Sequence, residues 1–187
     1  ALVYYATWPA TRDVCYEPEQ PVPNSHALHA GDLGIDCRYC HNTVEETGHA
    51  AVPPTDTCMN CHASVRAGSE KLIPVLESHA TGMPVAWVKI HDLPDFAYFD
   101  HSAHVTRGIS CVSCHDRVDT QVKVSQQELL SMGWCLRCHR HPELHLRPAE
   151  FVTDMDWEPM EDQVTMGKRL MDDNHIHPSE DCSICHR

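Results

Sequence analysis

Positive charge is scarce in this sequence. Lys and Arg number 14 against 27 Asp and Glu, a formal net charge of −13. No basic stripe is available to neutralise phosphates, which excludes nucleic acid as a partner. The acidity leaves two uses open, solubility or the docking of a basic partner. Aromatic residues are also few, at 6%, and apolar periodic runs are short, so a conventional apolar core is not expected to dominate the fold. Long hydrophobic runs are missing. The apolar stretch Ala1-Leu2-Val3-Tyr4-Tyr5-Ala6-Thr7-Trp8 falls short of the roughly 20 residues that cross a bilayer. It reads equally as a packed tail or as the end of a membrane-anchor helix. No secretory leader pattern is visible in the stretch, which predicts a mature or trimmed chain.

Cysteine and histidine, by contrast, are abundant, and they recur in one pattern. Cys37/Cys40/His41, Cys58/Cys61/His62, Cys111/Cys114/His115, Cys135/Cys138/His139 and Cys182/Cys185/His186 use ten of the 11 cysteines. Two thiols three residues apart, followed at once by an imidazole, share one face of a helical turn. This is the attachment pattern of c-type haem: the thiols add across the porphyrin vinyl groups and the imidazole reaches the iron as its proximal ligand. The alternative is a set of zinc half-sites, but zinc gives no reason for a histidine after every second cysteine. With 16 histidines in 187 residues, five such placements arise by chance on the order of a few times in a million. Five covalent haems c are therefore expected. The fold class expected is a multihaem cytochrome c, mostly short α-helices and coil wrapped around the cofactors, with little β-structure. Thioether attachment also places maturation outside the cytoplasm, on the periplasmic (outer) face of a bacterial membrane.

An internal repeat organises the chain. Ser25-His26-Ala27-Leu28-His29 followed by the Cys37 motif matches Asp100-His101-Ser102-Ala103-His104 followed by the Cys111 motif, and each copy has a second attachment motif beyond it. The expected organisation is an N-terminal stub over 1–21, a di-haem module over 22–66, a linker over 67–95, a second di-haem module over 96–147, and a connector with the fifth haem over 148–187. Residues 9–24, rich in proline and acid, read as an extended surface segment carrying Cys15, which has no motif and no partner thiol in the chain. Pro53-Pro54-Thr55 predicts a helix start with Thr55 as N-cap. Ser125-Gln126-Gln127-Glu128 reads as a capping box opening a helix through Met132, and Pro178-Ser179 precedes another helix start. Val85–Ile90, between Pro84 and Pro94, has the composition of a short strand. Trp87 within it reads as a packed tryptophan. The acidic stretch 148–177 reads as a solvated connector.

Each iron needs a second axial ligand, and 11 histidines lie outside the motifs. His26/His29 and His101/His104 recur at matched repeat positions. At spacing i, i+3 the two imidazoles of a pair lie on one face and can serve two adjacent haems. These four are the expected distal ligands. For the one iron that these four leave without a second ligand, Met132 is the leading candidate, since a helical path places it close to the fourth haem. A gap-filling core methionine is its ordinary role. His91, His145 and His177 are the reserves, while His49, His79, His141 and His175 have no such support. With every iron six-coordinate, the chain would move electrons and would carry no catalytic site of its own.

Several stretches resemble one family. Ser25-His26 through His41, Pro53-Pro54-Thr55 through His62, Leu93-Pro94-Asp95-Phe96 through His104, and Met132-Gly133-Trp134-Cys135 are together similar to the pentahaem cytochrome c subunit, ActA, of alternative complex III. The likeness runs from about Glu19 to Arg187. It implies an electron-transfer subunit of a membrane quinol:acceptor oxidoreductase in a respiratory or photosynthetic chain. It further implies an N-terminal membrane anchor, iron–sulfur and integral membrane partner subunits, and a soluble carrier or oxidase as acceptor. The paired-histidine module also resembles small tri- and tetrahaem cytochromes c, in which the first histidine serves the nearby haem and the second a neighbouring one. Two other classes stay open: a soluble periplasmic pentahaem shuttle, and a multihaem reductase with an open iron.

Overall fold

The computed structural model describes Val3 and residues 13–186; apart from Val3, the apolar stretch at the N-terminus lies outside the described residues. A π-helical turn, Ala27–Asp32, leads into eight short α-helices: α1 (Cys37–Cys40), α2 (Thr55–His62), α3 (Ile73–Thr81), α4 (His101–Val105), α5 (Val112–His115), α6 (Met132–Arg140), α7 (Gln163–Asn174) and α8 (Cys182–Cys185). Four 3-10 turns fill the gaps at Glu70–Leu72, Val118–Thr120, Pro142–Leu144 and Ala149–Phe151. Among the described residues β-structure is limited to two isolated antiparallel bridges, Ala97 with His186 and Ile109 with Leu146. No helix among the described residues is long and apolar enough to cross a membrane.

The chain buries little apolar surface of its own. Among the described residues nine hydrophobic side chains are buried, while twice as many large ones are exposed. One small cluster joins Val22, Leu72 and Val75, with Met59, Leu76, Val85 and Trp87 packed on it. The other joins Val44, Val105 and Val152. Val44 and Val105 come from the two halves of the repeat, so the second cluster ties those halves to the C-terminal stretch.

Four sequence expectations are corrected. Val85–Ile90 forms no strand, because the Gln20 side-chain amide takes both backbone groups of Val88: Gln20 Nε2 donates to the Val88 carbonyl at 2.9 Å and Val88 N donates to Gln20 Oε1 at 3.0 Å. No helix opens at Ser125. The backbone of Gln126 is paired with the N-terminal segment, Cys15 N to Gln126 O at 2.8 Å and Gln126 N to Tyr16 O at 3.2 Å, and Leu130 adopts a left-handed φ of 47° that a helix cannot contain. The helix begins instead at Met132, with the Ser131 hydroxyl accepting from Trp134 N, so Met132 opens a helix rather than ending one. Thr55 is the first residue of α2 rather than its cap; the cap position is Pro54, and the Thr55 hydroxyl meets Ser78 Oγ at 2.6 Å.

The stretch 148–177 is more than a solvated connector. It contains the 12-residue α7, which buries Met166 and Gly167 against the Pro142–Leu144 turn. Gln163 Nε2 donates to the carbonyls of Glu143 at 2.9 Å and Leu146 at 2.8 Å. A Cβ on Gly167 would collide with the Glu143 carbonyl oxygen. Gly167→Ala should therefore destabilise the fold by about 1–3 kcal/mol despite alanine's better helix propensity. Gly133→Ala, where a Cβ meets nothing within 4 Å, should be neutral or stabilising. Chemical denaturation of the two variants checks the contrast.

Candidate metal and cofactor site

Each Cys-x-x-Cys-His motif is closed into one turn by local hydrogen bonds. At the first, third and fifth motifs a short polar residue directly precedes the first cysteine. Its side-chain oxygen accepts from the backbone two residues on: Asp36 from Arg38 N at 2.8 Å, Ser110 from Val112 N at 3.3 Å, and Asp181 from Ser183 N at 2.9 Å. The motif histidine then donates its backbone N–H to the first cysteine's carbonyl, at 2.8 Å in His41, 2.9 Å in His115 and 2.8 Å in His186. The second and fourth motifs lie inside the longer helices α2 and α6, which provide the same turn. In all five, two thiols and an imidazole are gathered by helical geometry alone.

The imidazoles are oriented by their Nδ1 atoms. His41, His62, His139 and His186 each place Nδ1 against a backbone carbonyl, of Ala51 (2.9 Å), Val65 (2.9 Å), Ser179 (2.7 Å) and Phe96 (3.1 Å). His29, His101 and His104 do the same with the carbonyls of Ser25 (2.9 Å), Gly48 (3.0 Å) and Asp100 (2.7 Å). A carbonyl can only accept, so Nδ1 must carry the proton and Nε2 is left with its lone pair free. That is the state in which a metal-ligating histidine is held.

The repeat histidines then face the motif histidines two by two. Ring centres are 6.4 Å apart for His26 and His41, 6.2 Å for His29 and His62, 6.5 Å for His101 and His115, and 6.2 Å for His104 and His139. An imidazole nitrogen binds a metal ion at about 2.0 Å and lies about 1.2 Å from its ring centre, so two rings on opposite sides of one ion are centred about 6.4 Å apart. All four separations fit one interposed iron. Zinc fits poorly: among the described residues no group of three or more His, Cys, Asp or Glu side chains converges on a point.

Burial keeps several of these rings neutral. His26 is lowered from 6.5 to about 4 by burial and by the neighbouring His41 and His29. His115 is lowered to about 3 by burial, then by His91, His101, His41 and His26. His104 is lowered chiefly by burial. The thiols record which motifs are neighbours. Cys37 and Cys111 are neighbours, and their interaction holds Cys37 low and Cys111 high. Cys40 is raised by burial and then by Cys58. Cys114 is raised to about 12 by burial, then by Cys138 and Cys135. Cys135 is raised by burial and then by Cys185. The motifs therefore adjoin in the order second, first, third, fourth, fifth.

The remaining candidates are scattered. Met132 is exposed on the first turn of α6. His104 faces His139 of the fourth motif at 6.2 Å, and Cys135, three residues on from Met132, lies near Cys185 of the fifth. His91 lies against His115, its Nε2 3.3 Å from His115 Nδ1. His79 pairs with Asp56 at 3.0 Å and His141 with Glu143 at 3.5 Å. His145 is lowered by burial, and His175 caps α7 in a left-handed conformation. Cys15 is exposed with φ of 68° and contacts no other thiol among the described residues. The carbonyls that orient the rings were invisible in the sequence, since every residue has one; His91 stood there only as a reserve iron ligand, and its contact with His115, 24 positions away, has no periodic relation to announce it.

No known protein-family profile matches the chain. Among curated proteins it is 30% identical, over an alignment of 205 positions, to the multihaem cytochrome c subunit of menaquinone reductase from Nitratidesulfovibrio vulgaris strain Hildenborough; the alignment covers all of this chain and 85% of that protein.

Asp36, which caps the first motif's turn, is held at about 2 against its usual 3.8 chiefly by the hydrogen bond from Arg38, so the stability it contributes is present above about pH 4 and lost as pH falls toward 2. Denaturant unfolding at pH 7.5, 4 and 2.5 should show that loss in the wild type, and Asp36→Asn should remove it.

Proposed function

Since this chain belongs to the family of the multihaem cytochrome c subunit of menaquinone reductase, we propose that it carries five covalent haems c and relays electrons for a membrane quinone oxidoreductase. The observation that carries the reading is the set of four imidazole pairs at 6.2–6.5 Å. Haem bound at these sites would supply a one-electron iron couple. The chain's own part is attachment and orientation. Cys37, Cys40, Cys58, Cys61, Cys111, Cys114, Cys135, Cys138, Cys182 and Cys185 form the thioethers. His41, His62, His115, His139 and His186 are the proximal ligands, opposed by His26, His29, His101 and His104 in the first four sites. Met132 is the proposed ligand opposite His186, a choice supported by the neighbouring Cys135 and Cys185.

In this reading the succession of adjoining motifs gives the path: second, first, third, fourth, fifth. A path with one end at His62 and the other at His186 suits a subunit that joins two partners. We further assign it to an assembly of the alternative complex III type, with iron–sulfur and integral membrane subunits as partners and a soluble carrier or oxidase as acceptor. The attachment chemistry supports the periplasmic face of the membrane as its place.

Three measurements test the proposal. A haemochrome assay combined with intact mass should give five haems per polypeptide, and four or fewer after full maturation would contradict it. Met132→His should lower one reduction potential and leave the other four nearly unchanged, because a methionine and histidine pair lies higher than two histidines. An unmoved titration would transfer the fifth site to another ligand. Retention with integral membrane subunits after detergent extraction distinguishes the assembly from a soluble shuttle, which a salt wash alone would release.

A further inference from the structure

Seven of the nine motif and repeat histidines point Nδ1 at a backbone carbonyl. His26 has a buried Nδ1 with no partner. His115 alone meets another side chain, with His91 Nε2 at 3.3 Å and the two rings perpendicular, 81° apart, at 4.4 Å. That separation is too short for an iron between them, whereas His101 lies on the other side of His115 at 6.5 Å and nearly parallel, 11° apart. In the neutral tautomer that leaves His115 Nε2 free as a ligand, its Nδ1–H has His91 Nε2 as acceptor. His91 is itself half-buried beside His101 and follows the Val85–Lys89 segment that the Gln20 side chain fixes at Val88. The approach is therefore held by the fold from a part of the chain with no attachment motif.

We propose that His91 is the positioning residue of the third site: by accepting the Nδ1–H of His115 it fixes that ring and strengthens it as a ligand, lowering the potential of the middle site of the five. This rests on the reading of His115 and His101 as an axial pair. An imidazole nitrogen is a stronger acceptor than a peptide carbonyl, so it leaves more electron density on the donor ring. A more basic axial ligand favours the oxidised iron, and second-shell bonds of this kind tune both affinity and potential. The middle position gives the effect its consequence, since electrons moving between the ends must pass the third site.

The test uses the matured, haem-loaded protein in its membrane assembly, with redox titration followed by electron paramagnetic resonance. His91→Leu should raise one of the five potentials by the equivalent of a tenfold change in the oxidised-to-reduced ratio, 59 mV for one electron. The same variant should alter the g-values of one low-spin iron while haem content stays constant. His91→Gln, which restores an acceptor oxygen, should recover most of the shift. Unchanged potentials in both variants would overturn the proposal, as would a shift of all five together. Equal behaviour of Gln and Leu would make His91 a space-filling residue, and loss of one low-spin signal would make it an iron ligand; either overturns the proposal. His101→Ala keeps the underlying reading separate: it should convert one iron to high spin, and a failure there would refute the axial pairing whatever His91 does.

Discussion

The hydrogen bond from imidazole Nδ1 to a backbone carbonyl is the interaction on which the arrangement depends. A free histidine ring has two tautomers and a free rotor, and neither property suits a ligand that must meet a metal from one direction. The carbonyls of Ala51, Val65, Ser179 and Phe96 remove both freedoms for the motif histidines. They are drawn from segments 3 to 90 residues distant in sequence. Val65 serves its own motif and Phe96 serves the last one, so the turns and linkers between motifs act as the scaffold for ring orientation. A chain with few helices longer than two turns can hold these imidazoles in register because eight of the nine are tied through Nδ1 to peptide backbone or to a neighbouring side chain.

The same economy explains the small apolar core. Val22, Leu72 and Val75 anchor the early half, and Val44, Val105 and Val152 anchor the repeat to the C-terminal stretch. Between them, many half-buried positions are occupied by thiols and imidazoles. Burial of those groups keeps the imidazoles neutral, which suits metal binding.

What was legible in the sequence is what has a local cause. Cys-x-x-Cys-His closes on itself within one turn, and in three of the five motifs a polar residue before the first cysteine caps that turn, so the short helices of the motifs follow from spacing. The repeat singled out His26, His29, His101 and His104, which the fold sets opposite His41, His62, His115 and His139. What was not legible depends on distant chain. The Ser125 box failed to start a helix because Cys15 and Tyr16 hold the Gln126 backbone. Val85–Ile90 failed to become a strand because Gln20 occupies Val88. The succession of motifs in space comes from contacts such as Cys37 with Cys111, separated by a linker whose course no local pattern specifies. The π-helical turn that carries His29 likewise has no signature in composition, though such turns are often found at functional sites.

The most direct measurement is an experimental density map of the matured assembly at a resolution that places each iron and its axial nitrogens. The account predicts an iron between His26 and His41, His29 and His62, His101 and His115, and His104 and His139, with the attachment sites succeeding one another as second, first, third, fourth, fifth. An iron bound by one of these imidazoles together with a histidine from a different pair, or a succession that separates the first site from the third, would contradict it.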